Sequence, residues 1–90
     1  MKPGTRVRRA PDCVAESVGD EVVVWLGSDR TLHHLDRSGA LVWAHLEHPT
    51  TAGEVARRVS DQVGQHTELV RRDVLDFLAD LVQRSLLVTP

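Results

Sequence analysis

The spacing of the apolar residues changes near Asp36, and this change restricts the fold more than any other feature of the sequence. Before Asp36, a β-branched run, Val22-Val23-Val24, lies between turn-forming glycines. Such a run is typical of a central strand or one covered on both faces. After Asp36, apolar residues recur three and four positions apart, which is the period of an amphipathic helix. The chain is therefore predicted to be α+β, with strands first and helices afterwards.

Three strands are predicted in the first part of the chain. They lie within residues 11–18, at 21–26 and at the short segment Thr31–Leu35. The turn residues Gly19-Asp20 and Gly27-Ser28-Asp29-Arg30 separate them. We expect a three-stranded antiparallel meander in which the third strand lies at an edge.

Three helices are predicted after the strands. Asp36 is expected to cap the first helix, and Thr51 with Glu54 has the spacing of a capping box for the second. Gly64 is a natural terminator of that helix, and the third runs from about residue 68 to 85. Three strands, three helices and an extended tail indicate a winged helix-turn-helix-like fold.

The third helix is apolar over a wider arc than one packed face requires. One seam of the helical wheel is assigned to the core: Val70, Val74, Phe77 and Leu81. A second apolar stripe lies beside it: Leu75, Leu78 and Val82. This stripe is covered either by the protein's own tail or first strand, or by a ligand. In the second case it forms a groove with the edge strand Thr31–Leu35, and such a groove suits an extended peptide.

The charge is divided unevenly along the chain. The net charge is −2 and the first ten residues carry +4, which leaves −6 on the remaining eighty. The basic residues at the start are Lys2, Arg6, Arg8 and Arg9. We therefore predict a basic flexible N-terminal segment, 1–10, and one acidic domain, 11–90.

An acidic domain is poorly suited to nucleic acid, because phosphate contacts need clustered Lys and Arg. From Leu69 to Ser85 the third helix has equal numbers of basic and acidic residues, although in a DNA-binding winged helix it would enter the major groove. A DNA-binding winged-helix transcription regulator is kept as the alternative function. A dimerisation module, in which the second apolar stripe pairs with its symmetry mate, is a third possibility.

Residues that carry chemistry are few and unfavourably spaced. His33 and His34 are adjacent on a predicted strand, so they point to opposite faces and are poorly placed to bind one metal ion. Cys13 lies in a weakly predicted strand without an evident base, and it has no partner for an internal disulfide. No stretch approaches the ~20 apolar residues of a membrane span. We expect a cytoplasmic binding protein with no catalytic residue, metal site or cofactor.

Three segments together resemble the PqqD family. Leu32–Trp43 has a short strand, a polar cap, a Gly-Ala pair and an apolar-Trp pair, with Asp36 where the family usually has Asn. Thr51–Val55 is similar to the start of that family's second helix, and Asp73–Leu81 to its third. The resemblance covers about residues 20 to 88 in the right order.

The resemblance implies a recognition element for the leader segment of ribosomally made, modified peptides. Members of the family resemble winged helices and bind the precursor's leader as an added strand beside the third strand and the third helix. The implied partners are this leader peptide and a modifying enzyme or leader peptidase, without nucleic acid or membrane. Carried over by position, the backbone-pairing residues are Thr31, Leu32, His33, His34 and Leu35. The side chains that would face or border the peptide are Arg71, Arg72, Leu75, Asp76, Leu78, Ala79 and Val82.

Overall fold

The computed structural model describes all 90 residues and contains six strands and three α-helices. The strands are β1 (Arg6–Arg9), β2 (Cys13–Val18), β3 (Glu21–Leu26), β4 (Thr31–Leu35), β5 (Thr50–Thr51) and β6 (Leu87–Val88). The helices are α1 (Arg37–Trp43), α2 (Ala52–Val63) and α3 (Glu68–Gln83), and a 3-10 turn, Ala44–Leu46, follows α1. The predicted α+β class and the order of the three main strands and three helices are confirmed.

The larger sheet is antiparallel and has the order β2-β3-β4. Along its central strand β3, Val22, Val24 and Leu26 are buried whereas Trp25 is exposed. This alternation follows from the period of two in a strand, and it places one face of the sheet against the helices. The predicted meander with its third strand at an edge is confirmed.

The predicted helix caps are present. The Asp36 carboxylate accepts the backbone N–H three residues on, at 2.9 Å, and the Thr51 hydroxyl accepts that of Glu54, at 3.2 Å. Gly64 ends α2 in the left-handed conformation, with φ of 69°. The Glu54 carboxylate, however, pairs with Arg57 and the next arginine rather than closing the capping box. Local caps for the backbone groups that have no hydrogen-bond partner within the helix therefore set these helix boundaries.

The N-terminal segment is part of the fold, which corrects the prediction of a flexible tail at 1–10. Strand β1 is central in a second sheet of order β5-β1-β6, and Val7 is fully buried. The carbonyl oxygens of Pro3 and Thr5 accept the backbone N–H groups of Gly53 and Ala52 at the start of α2. The composition of this segment did not indicate a strand, because exposed arginines flank a single buried valine.

Arg9 joins β1 to the end of α1. Its guanidinium lies 4.3 Å from the centroid of the Trp43 ring and donates from Nη2 to the Trp43 carbonyl oxygen at 2.7 Å. Partial burial lowers the pKa of Arg9 from its usual value, because desolvation disfavours the charged form. The contact places a basic residue of the N-terminal segment against the buried face of Trp43.

The third helix lies across the core. It packs against α2, and its C-terminal end is followed by a turn in which the Leu86 N–H donates to the Leu81 carbonyl oxygen at 3.0 Å. Leu78, Leu81 and Leu86 are all fully buried. The protein's own C-terminal segment therefore packs against this part of α3.

Leu78→Ala is expected to lower the free energy of unfolding by about 2–5 kcal/mol, because it leaves a cavity in a packed core. Chemical denaturation monitored by circular dichroism measures this loss. Leu69→Ala is the matched control on the same helix; Leu69 is exposed, and its truncation is expected to cost less than about 0.5 kcal/mol. Equal losses in the two variants would contradict the burial of Leu78.

Candidate functional site

Strand β4 offers a free edge. It pairs with β3 along one side, and no strand of the protein pairs with its other side. The unpaired backbone N–H and C=O groups of such an edge are a template for one more strand. The five residues Thr31–Leu35 form this strand, so the predicted backbone-pairing segment lies at the edge of the sheet.

A cleft of about 250 Å³ lies between the end of β4, the start of α1 and the third helix. Its lining residues are His34, Leu35, Asp36, Gly39, Phe77 and Arg84. The Arg84 guanidinium is paired with the Asp80 carboxylate at 2.9 Å, one turn earlier on the helix. An extended chain lying along β4 would therefore meet both an aromatic ring and a cation.

A second, more apolar cleft of about 390 Å³ adjoins the first, and both include Asp36, Gly39 and Phe77. It lies among α1, α2 and α3. Its apolar lining comes from Leu41, Val42, Val59, Val63, Val70, Val74 and Phe77. The Phe77 ring therefore lines both the polar cleft at β4 and the apolar cleft among the helices.

Gly39 allows the Phe77 ring to approach the first helix closely. A Cβ atom at position 39 would lie 3.0 Å from Phe77 Cζ and 3.3 Å from Leu35 Cβ. Both distances are shorter than ordinary van der Waals contact, so a larger residue would push the ring or the strand away. Gly39 therefore allows the Phe77 ring to lie where it lines both clefts.

The clefts combine apolar walls, backbone groups and a few charges, which are the parts of a peptide-binding groove. Cys13 is half-buried, and burial raises the pKa of its thiol, so the nucleophilic thiolate is disfavoured at neutral pH. The structure has no group of three or more His, Cys, Asp or Glu side chains that is suited to hold a metal ion. The structure contains no helix that could span a membrane.

The predicted residues of the third helix do not line these clefts. Leu75 and Leu78 are only 7% and 0% exposed and belong to the core, so their side chains are not available at the surface. Arg71 lines a separate cleft between α2 and α3 and is paired with Glu68. The remaining members are exposed or half-buried: Arg72, Asp76, Ala79 and Val82. The structure therefore favours the alternative in which the protein itself covers the second apolar stripe, and a role in peptide binding for the exposed members stays a prediction.

The difference comes from the rotation of the third helix about its axis. The buried arc comprises Val74, Leu75, Leu78 and Leu81, whereas Val70 and Phe77 are half-exposed at its border. Phe77 and Val82 are about 140° apart on a helical wheel, so they do not face the same groove. The helical wheel places Phe77 in the core and does not single out Arg84. The feature of the sequence that indicates exposure of Phe77 is its place on the helical wheel, where the apolar arc meets the acidic residues.

Comparisons with known proteins identify the family of the chain. The sequence profile of the family described as coenzyme PQQ synthesis protein D (PqqD) matches residues 21–87. The structure is similar to one described as TbiB1 in complex with the TbiA(beta) leader peptide, with a TM-score of 0.74 and 25% sequence identity. That match covers 89% of this chain and 93% of TbiB1. Among curated protein sequences, none matches significantly. The family profile spans more than half of the chain's residues, and the chain therefore belongs to the PqqD family.

Proposed function

We propose that this protein binds the leader segment of a ribosomally made precursor peptide as an extra strand on β4. The observation that carries the proposal is the free edge of β4 beside the clefts at Phe77. The similarity to a protein whose structure was solved with a leader peptide supports the same function. The chain aligns with nearly all of that protein, so the similarity is not confined to a fragment.

Affinity and selectivity come from different parts of the groove. Backbone hydrogen bonds to Thr31–Leu35 hold any extended segment, whereas pockets for alternate side chains select among sequences. The apolar cleft bordered by Val63, Val70 and Phe77 accepts an aliphatic or aromatic side chain of the leader. Because an apolar side chain gains about 1.5–3 kcal/mol on full burial, this contact dominates selectivity.

The protein acts as an adaptor rather than as an enzyme. Its free edge and apolar clefts are suited to hold an extended peptide rather than to act on it. A modifying enzyme or a leader peptidase of the same pathway would perform the chemistry on the bound precursor. Because precursor peptides of this kind are ribosomally made, the adaptor is assigned to the cytoplasm.

The DNA-binding alternative gains no support from the structure. The exposed side of the third helix carries Asp73 and Asp76 beside Arg72, and these carboxylates repel phosphates. The net charge of the chain is −2. Peptide binding is therefore the better assignment.

Titration with candidate leader peptides of ribosomally made precursors tests the proposal. We expect amide chemical-shift changes in β4 and around Phe77 by NMR, because new hydrogen bonds form along the free edge. The β2 amides, which lie at the opposite edge of the sheet, serve as an internal reference and change little. A peptide of the same composition in scrambled order is the control. Binding without any change in β4 would contradict strand addition.

A further inference from the structure

The outer face of the larger sheet carries an exposed apolar row. Val14, Trp25 and Leu32 lie directly opposite one another across β2, β3 and β4. Their exposed fractions are 67%, 42% and 67%. These residues, defined here as the outer row, lie on the sheet face opposite to that of the buried Val24. No element of the protein covers them.

The size of the outer row restricts what binds there. Three large side chains exposed to this extent present on the order of 300 Å² of apolar surface, within the range of functional patches on monomers. A stable interface of standard size buries about 800 Å² on each partner. The outer row alone is therefore too small for a stable homodimer, but it is large enough to be the centre of a wider interface.

A leader peptide bound as an added strand on β4 would widen this surface. This step rests on the proposed function. A strand added to β4 lies about 4.8 Å from it, and every second side chain of that strand points to the outer face. One of these side chains lies beside Leu32, so the outer row continues from three strands onto a fourth. The outer row is thus continuous with the peptide-binding edge, and the surface is complete only when the leader is bound.

We propose that the outer row and the bound leader together form the docking surface for the enzyme that acts on the precursor. The partner contributes an apolar surface patch that packs on Val14, Trp25 and Leu32 and on the adjoining leader side chain. Because the empty adaptor offers only part of this surface, the enzyme binds the loaded adaptor more tightly than the empty one.

Val14→Lys and Trp25→Lys test the proposal. Val14 lies on the edge opposite to β4, so its replacement leaves the peptide-binding edge intact. Leu69→Lys is the matched control, because Leu69 is also an exposed apolar residue but lies on α3 outside the outer row. Affinity for the leader is measured by fluorescence anisotropy. Affinity for the purified enzyme that modifies or cleaves the precursor carrying that leader is measured by calorimetry, with and without saturating leader.

We expect the two outer-row variants to bind the leader within about twofold of the unmodified protein but to bind the enzyme at least about tenfold more weakly. The control is expected to retain both affinities. Unchanged enzyme binding by Val14→Lys and Trp25→Lys overturns the docking surface. Equal enzyme affinity with and without leader overturns its dependence on the leader. If the unmodified protein self-associates and Val14→Lys abolishes this, the outer row binds a second copy of the protein and the proposal is wrong. Failure of the unmodified protein to bind the leader overturns the proposed function itself, and is recognised in the first measurement.

Discussion

A chain that lacks residues 1–10 is expected to unfold with a free energy at least about 3 kcal/mol lower than that of the full chain, since it loses several buried contacts at once. The deletion removes the central strand of the smaller sheet and the buried Val7. It also removes the stacking of Arg9 on Trp43 and exposes that ring. For a domain of this size the thermal midpoint falls by roughly 12 °C or more.

Differential scanning calorimetry measures this change. A variant without two of the positive charges distinguishes the effect of losing the strand from the effect of losing its charge. Arg6→Gln with Arg8→Gln removes two positive charges from exposed positions and leaves Val7 and the backbone pairing in place. We expect this variant to unfold within about 0.5 kcal/mol of the unmodified protein. If the deletion is as mild as the charge variant, β1 does not stabilise the fold.

Phe77→Ala is expected to weaken leader binding by about tenfold or more, which corresponds to roughly 1.4 kcal/mol. The ring lines both clefts. Its removal deprives the leader of an aromatic contact and opens the floor of the groove. Isothermal titration calorimetry with the leader peptide gives the affinity.

Because Phe77 is half-buried, a second variant keeps this test independent of stability. Val63→Asp places a carboxylate at an exposed position on the wall of the apolar cleft, and a comparable loss of affinity is expected. Leu69→Asp introduces the same charge at an exposed position outside both clefts, and it is expected to bind normally. Normal binding by a folded Val63→Asp together with Phe77→Ala would exclude these clefts as the leader site.

The main elements could be predicted from the sequence because their signals are local. The β-branched run of β3, the turn residues beside it and the side chains of Asp36 and Thr51 each act within a few residues. The edge position of β4 also followed, because consecutive strands joined by short turns form a meander. These parts of the fold required no knowledge of distant contacts.

Strand β1 and the orientation of α3 depend on contacts that are distant in sequence. The pairing of Arg8 with Val88 joins opposite ends of the chain, and no local pattern indicates it. On α3 the apolar arc is wide enough to admit more than one rotation, and packing against α2 and β6 selects the one that buries Leu75. The edge strand of the groove was therefore predictable, whereas its helical wall was not.

The pairing of β1 with β6 has a consequence for linking this protein to others. Because Arg8 pairs with Val88 and the two strands are antiparallel, the start of β1 and the end of β6 lie at the same end of the smaller sheet. That place belongs to a different sheet from β4, so attached domains need not cross the free edge. A catalytic domain attached at either end would be joined through the smaller sheet rather than through the sheet that carries β4.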